Sequence, residues 1–196
     1  MIRISAGLLK GMKLMTPDGQ STRPTTSKVR QACLSMLGDD LLDANILDLF
    51  CGSGAYGLEG LSMGAFSATF VDNCSKVKSC VENNLIEAHR RFHAQDLKIG
   101  PTRFINKDLM KSFSFEGQFN LIFSDPPYLL APEWLATCSQ NLAKITKKDA
   151  TWLFEHGDSV SIDLIKKHTH PEWEIDKMKT YGIQHITILK KTPTLG

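Results

Sequence analysis

Two short runs of residues have the types and spacing to do chemistry. The first is Asp48-Leu49-Phe50-Cys51-Gly52-Ser53-Gly54-Ala55-Tyr56-Gly57, which leaves an apolar β-type run and enters a helix. Gly52 permits a sharp turn, and Gly54 lets a ligand approach the backbone with no Cβ in the way. The helix N-terminus beyond it offers N–H groups without partners in the helix. The spacing satisfies G-x-G-x-x-G, and Asp72 ends the next strand 20 residues after Gly52, placed to accept from ribose hydroxyls. A dinucleotide would have to bring its pyrophosphate to this turn. Asp48, four residues ahead of Gly52, opposes that anion and suits an ammonium group. S-adenosylmethionine carries an amino acid in place of phosphates, so Asp48 favours it. Phe50 and Ser53 are further candidate cofactor contacts. The glycine spacing taken alone leaves an NAD-dependent oxidoreductase as the reading from a different class.

The second run is Ser124-Asp125-Pro126-Pro127-Tyr128, directly after an apolar strand. Two prolines fix an extended, rigid turn whose carbonyls no helix takes up. A carboxylate, a fixed carbonyl and an aromatic face then stand together at the carboxyl end of a sheet, where open α/β proteins place ligands. Such a group suits the exocyclic amine of a nucleobase. Asp125 and the Pro126 carbonyl can accept its two N–H groups, and Tyr128 can stack on the base.

These runs need a scaffold, and the pattern of the chain describes one. Residues 2–15 alternate weakly around Gly7 and Gly11, as in a short β-hairpin. After a turn-rich loop, Thr26 or Ser27 can cap a helix carrying Val29, Ala32, Cys33, Met36 and Leu37 on one face, stopped by Gly38. From residue 46, strands at 46–50, 68–72, 102–106, 119–124 and 151–155 alternate with helices. The helices are expected from Gly54 to Met63, from Ser75 to about Arg91, from Pro132 onward, and near 160–168. Residues 173–179 and 183–191 read as two terminal strands joined at Tyr181-Gly182. Alternation of this kind demands right-handed crossovers and a parallel sheet covered on both faces. The expected fold is α/β, a mostly parallel sheet with an antiparallel C-terminal hairpin.

Composition sets the outer bounds. The 196 residues are 42% hydrophobic and 22% charged, an ordinary globular balance that excludes collagen, coiled coil and disorder. The length predicts a single domain, residues 1–196. No apolar run approaches the roughly 18–20 residues of a membrane span, and the first residues lack the pattern of a secretory signal. Five cysteines (Cys33, Cys51, Cys74, Cys80, Cys138), with no C-x-x-C pair, suit a reducing, cytoplasmic setting. Net charge is only +2, but residues 1–30 hold Arg3, Lys10, Lys13, Arg23, Lys28 and Arg30 against the single acid Asp18. A local field of that sign can meet phosphates. His89 and His93 lie four apart on a helix with no third ligand in view, so no metal is expected. Trp134, Trp152 and Trp173 sit in apolar patterns and are expected in the core.

Taken together, the runs resemble the RsmD family of class I, Rossmann-like S-adenosylmethionine-dependent methyltransferases, which act on the N2 amine of a guanine in bacterial 16S ribosomal RNA. The resemblance covers nearly the whole chain. It rests on Arg23-Pro24-Thr25-Thr26 before Val29-Arg30, on residues 47–54 followed by Gly57-Leu58-Glu59, on Asn84-Leu85, and on Asp125 to Tyr128. It implies that Asp48, Gly52 and Gly54 line the methionine end of the cofactor, Asp72 takes the ribose, and Asp108 takes the adenine amine. Asp125, Pro126, Pro127 and Tyr128 would hold the guanine. Residues 1–25 would form a basic, substrate-facing extension in which Arg3, Lys10, Lys13, Arg23 and Thr25, with Arg30, meet RNA. The implied partner is ribosomal RNA within the small subunit, with no membrane or metal and with a monomer as default. Alternatives of the same chemistry are adenine N6 in DNA or another RNA guanine. A non-catalytic RNA-binding module would be a third class.

Overall fold

A computed structural model describes residues 2–17, 26–111, 113–114 and 116–192. Two short strands open the chain, β1 (Ile2–Arg3) and β2 (Lys13–Leu14), paired antiparallel. α1 (Ser27–Leu37) and a 3-10 turn (Gly38–Leu41) follow. Then come β3 (Asn45–Leu49), α2 (Ala55–Ser62), β4 (Ser67–Asp72), α3 (Ser75–His93) and β5 (Thr102–Asn106). The second half runs β6 (Phe119–Ser124), α4 (Ala131–Ile145), β7 (Thr146–His156), α5 (Ile162–His168), β8 (Trp173–Tyr181) and β9 (Gln184–Lys191).

Strands β3 to β9 form one seven-stranded sheet in the order β5-β4-β3-β6-β7-β9-β8. Pairing is parallel from β5 through β7, and antiparallel where β9 joins β7 and β8 joins β9. The chain winds outward from β3 to β5, then returns to place β6 on the other side of β3. That reversal opens a crevice at the carboxyl ends of β3 and β6, where loops on either side diverge.

Alternation along the strands sorts the core into two layers. Ile46, Phe70, Leu121, Phe123 and Leu153 pack with residues of α1, α2, α3 and the N-terminal segment. Leu47, Leu49, Val71, Ile122, Trp152 and Phe154 pack with α4 and α5 on the opposite face. The three tryptophans lie in this second layer, with ring centroids 5.6 Å apart for Trp134–Trp152 and 5.7 Å for Trp152–Trp173.

Boundaries shift where backbone pairing outruns the apolar pattern. β7 starts at Thr146, which pairs with Phe119, and not at residue 151; Lys147, Lys148 and Asp149, exposed and without hydrophobic signal, lie in the register shift that precedes the pair Leu121–Thr151. α4 begins at Ala131, one residue before Pro132, whose missing N–H costs nothing anywhere in a first helical turn. The β8–β9 turn is Gly182-Ile183, with Tyr181 paired to Gln184, and Gly182 takes a left-handed φ of 65°.

The N-terminal segment is packed into the body of the protein. Ile4, Leu9, Met12 and Leu14 are buried in the first layer. Their backbone is held by α2: Glu59 Oε1 accepts from Ser5 N at 2.8 Å, and Ser62 Oγ accepts from Leu9 N at 2.8 Å. Arg30 corrects the reading of it as an RNA contact. It is 1% exposed, and its Nε donates to Glu59 Oε1 at 3.2 Å while its Nη2 donates to the Arg3 carbonyl at 2.8 Å. Helical periodicity turns its guanidinium inward, toward a buried acid on α2.

Candidate active site

The glycine-rich turn is shaped by left-handed backbone. Phe50, Gly52 and Gly54 have φ of 57°, 51° and 75°, so the chain doubles back between β3 and α2. Phe50 adopts this conformation despite its Cβ, and its ring packs edge-on against Trp134 with centroids 5.6 Å apart. A Cβ on Gly52 would meet no atom within 4 Å, so open space lies over this residue. A Cβ on Gly57 would fall 2.4 Å from the Phe70 ring and 3.1 Å from Asp48 Oδ2. Glycine there lets α2 sit directly on the end of β3.

Asp48 is 2% exposed, and its Oδ2 accepts from Gly57 N at 2.8 Å. Burial pushes its carboxyl up to about 8, outweighing the lowering effect of that hydrogen bond, and the nearby charge of Asp72 adds to the rise. Among the described residues no cation acts on the group to favour its charged form. Asp72, at the end of β4, accepts from Gly52 N at 3.2 Å and from Cys74 N at 3.1 Å. Burial raises its pKa as well, against the lowering effect of these N–H groups. Beyond β5, Asp108 Oδ1 accepts from Met110 N at 3.0 Å, and its Oδ2 lies 3.6 Å from Lys111 Nζ. Ser53 is buried, and its carbonyl accepts from Asn84 Nδ2 at 2.9 Å. Cys51 is buried, and burial drives its thiol well above the usual range, as suits a packing residue.

On the other side of the crevice, the Asp125 N–H points to the Leu49 carbonyl at 3.4 Å, joining the proline corner to the end of β3. Pro126 is buried and Pro127 exposed. Tyr128 rests on Gly157, where a Cβ would lie 2.8 Å from Tyr128 Cδ2. Its hydroxyl reaches Glu155 Oε1 at 3.4 Å. Glu155 is 1% exposed and also accepts from Tyr56 Oη at 3.1 Å and from Gln184 Nε2 at 2.8 Å. Sequence reasoning missed Glu155, Tyr56 and Gln184. The available signal was an acid closing the apolar run Trp152-Leu153-Phe154.

The structure thus brings Asp48, Phe50, Gly52, Ser53, Gly54, Asp72 and Asp125 to adjoining strand ends at the topological switch. Arg3, Lys10 and Lys13 are exposed on the N-terminal segment. Arg23 and Thr25 lie outside the described residues.

A family model described as "Conserved hypothetical protein 95" matches residues 2–190. Ribosomal RNA small subunit methyltransferase D of Haemophilus influenzae is 31% identical over 93% of this chain and 90% of its own length. The chain belongs to the RsmD family. The Escherichia coli protein named Ribosomal RNA small subunit methyltransferase D is 38% identical to this RsmD-family chain over 128 residues, 65% of this chain and 60% of its own. Among solved structures, Escherichia coli yhhF superposes with a TM-score of 0.79 at 27% identity, covering 97% of this chain and 98% of that one. Membership of this family makes the chain an S-adenosylmethionine-dependent methyltransferase.

The residues present suit that cofactor. A buried acid without a cation, a second acid one strand away and open space over Gly52 form a donor set for an ammonium and a ribose. An acid buried beside the turn suits an ammonium and opposes a pyrophosphate, which argues against the dinucleotide reading.

Proposed function

We propose that this chain methylates the exocyclic N2 amine of a guanine in 16S ribosomal RNA, on the small ribosomal subunit in the cytoplasm. Residues 1–196 act as a single domain, with residues 1–25 facing the substrate. The observation that carries this reading is the junction of the two runs, through Asp125 N and the Leu49 carbonyl, at one crevice.

Asp48 receives the cofactor's ammonium, Asp72 its ribose hydroxyls and Asp108 its adenine amine. Phe50, Gly52, Ser53 and Gly54 line the space between. When bound, S-adenosylmethionine supplies a methyl group made electrophilic by the attached sulfonium. Asp125 and the Pro126 carbonyl accept the two N–H groups of the guanine amine, aligning its lone pair at near-attack distance. Asp125 then takes or relays the proton that the amine loses. Pro127 keeps the corner extended, and Tyr128 stacks on the base. Arg3, Lys10, Lys13, Arg23 and Thr25 approach the RNA backbone, where cations contribute affinity that falls with salt.

The test is incubation of labelled S-adenosylmethionine with unmodified small subunits, naked 16S RNA and duplex DNA, followed by mapping of the labelled base. Label on one guanine N2 in the subunit is the expected result. Label on adenine, or on duplex DNA in preference to subunits, overturns it. Asp125→Ala abolishes transfer while affinity for S-adenosylhomocysteine stays within a few-fold.

A further inference from the structure

The last register pair between β6 and β7 is Ser124 with Phe154, so Asp125 and Glu155 follow on neighbouring parallel strands. Such neighbours lie about 4.8 Å apart and project to the same face. That face is the one on which α2 packs, and it delivers Tyr56 to Glu155. Tyr56 is stacked on Phe123, with centroids 4.9 Å apart and planes 16° apart. Gln184, the first residue of β9, reaches the same carboxylate from the third side.

A carboxylate buried to this degree is costly unless charged or polar partners surround it. Phenol donors meet that need. Burial first, then the charges of Glu155 and Asp125, raises the pKa of both Tyr56 and Tyr128, keeping the hydroxyls protonated as donors. Tyr56 and Gln184 fix the carboxylate, and Tyr128 is the partner nearest the rim. Beyond it, Leu129 is 93% exposed. The Tyr128 ring is also seated on Gly157, and its hydroxyl shares a hydrogen bond with the Gln184 side chain that itself donates to Glu155.

Resting on the function proposed above, we infer that Glu155 is a positioning residue for the target base: it tethers the Tyr128 hydroxyl and so holds the ring in the plane against which the guanine stacks. Its effect passes through Tyr128, and Asp125 remains the group that touches the amine. A ring held in place before the base arrives loses less entropy on binding, and the amine meets the methyl donor in a narrower range of orientations.

The experiment compares wild type, Tyr128→Phe, Glu155→Gln and the double variant in steady-state methyl transfer, with S-adenosylhomocysteine binding measured alongside. Tyr128→Phe keeps the ring and removes only the hydroxyl, with its contacts to Glu155 and Gln184, from a half-buried residue, so it keeps the test available if Glu155→Gln folds poorly. Each single change is expected to lower kcat/KM for the nucleic acid roughly tenfold, with cofactor affinity within twofold. The double variant is expected to be no worse than the poorer single one, because both weaken the same contact, one by removing the donor and the other the acceptor's charge. Full activity of Tyr128→Phe, or losses that multiply in the double variant, overturns the inference. The wild-type rate on small subunits tests the proposed function separately. The variant ratios are read on whichever nucleic acid the wild type labels.

Discussion

Asp72 accepts a hydrogen bond from the N–H of Gly52, 20 residues earlier in the chain, at 3.2 Å. The carboxylate therefore couples the end of β4 to the turn after β3, and its second oxygen holds the start of α3 through Cys74 N. Asp72→Ala removes a candidate ribose acceptor and the brace of the turn together. Affinity for S-adenosylhomocysteine is expected to fall at least tenfold, read by calorimetry. An unchanged dissociation constant would rule out the ribose role. Asp72→Glu is expected to recover part of the loss, because the longer acid can still reach a ribose.

Asp48 makes both stability and binding depend on pH. Its folded pKa of about 8 lies above its ordinary value of 3.8, so the folded state keeps a proton that the unfolded state releases in between. Its favourable contribution is complete below about pH 4 and is lost as pH rises toward 8, with a slope of at most about 1.4 kcal/mol per pH unit. Chemical denaturation of the ligand-free protein at pH 6 and pH 8 checks this, and Asp48→Asn should flatten the difference. An ammonium seated beside Asp48 favours the ionised form. Cofactor binding near pH 7 is then expected to release up to one proton, measured by calorimetry in buffers of different ionisation enthalpy.

Asn84 joins the cofactor turn to the N-terminal segment. Its Nδ2 donates to the Ser53 carbonyl at 2.9 Å and to the Met15 carbonyl at 3.1 Å, and its Oδ1 accepts from Met15 N at 2.8 Å. Asn84→Ala leaves the buried Ser53 carbonyl and the part-buried Met15 backbone without their partner, at a cost of about 1–3 kcal/mol. Hydrogen exchange should show loss of protection at the Met15 amide, accompanied by weaker cofactor binding. Protection equal to wild type would refute the link.

The Arg30–Glu59 pair is buried on both sides, at 1% and 0% side-chain exposure. Arg30→Ala strands Glu59 as an uncompensated charge and is expected to cost about 3–5 kcal/mol in urea denaturation. Arg30→Met combined with Glu59→Leu removes both charges and should recover most of that loss. A single variant as stable as wild type would show that the pair does not hold α1 to α2.

Much of the site was legible before any coordinates. The glycines of residues 52–54 and the prolines of residues 126–127 restrict the backbone locally, so their turns follow from residue type. Asp72 was placed by spacing alone, because a strand, a turn and a helix have narrow length ranges. Arg30 was misplaced for a definite reason. Its spacing from Cys33 and Leu37 puts it on the inner face of the helix, but no local pattern records the acid on α2 that pairs with it there. The early start of β7 has no local signal, because Thr146 pairs with Phe119 across a register shift and Lys147 to Asp149 in that irregularity carry no apolar pattern.

Residue types and their order were sufficient for the alternating α/β chain, the two chemical turns and the kind of cofactor they suit, since each depends on contacts within a few residues. The order of the strands decided the rest. β6 lies beside β3, and β7 beside β6, so Asp125 meets Leu49, and Glu155 follows the pair Ser124–Phe154 on the next strand, across distances in sequence that no local pattern records. The three-sided hold on Glu155 exists only because Tyr56, Tyr128 and Gln184 come from separate elements. Burying a carboxylate is tolerable only once those partners converge, and convergence is a property of the packed sheet.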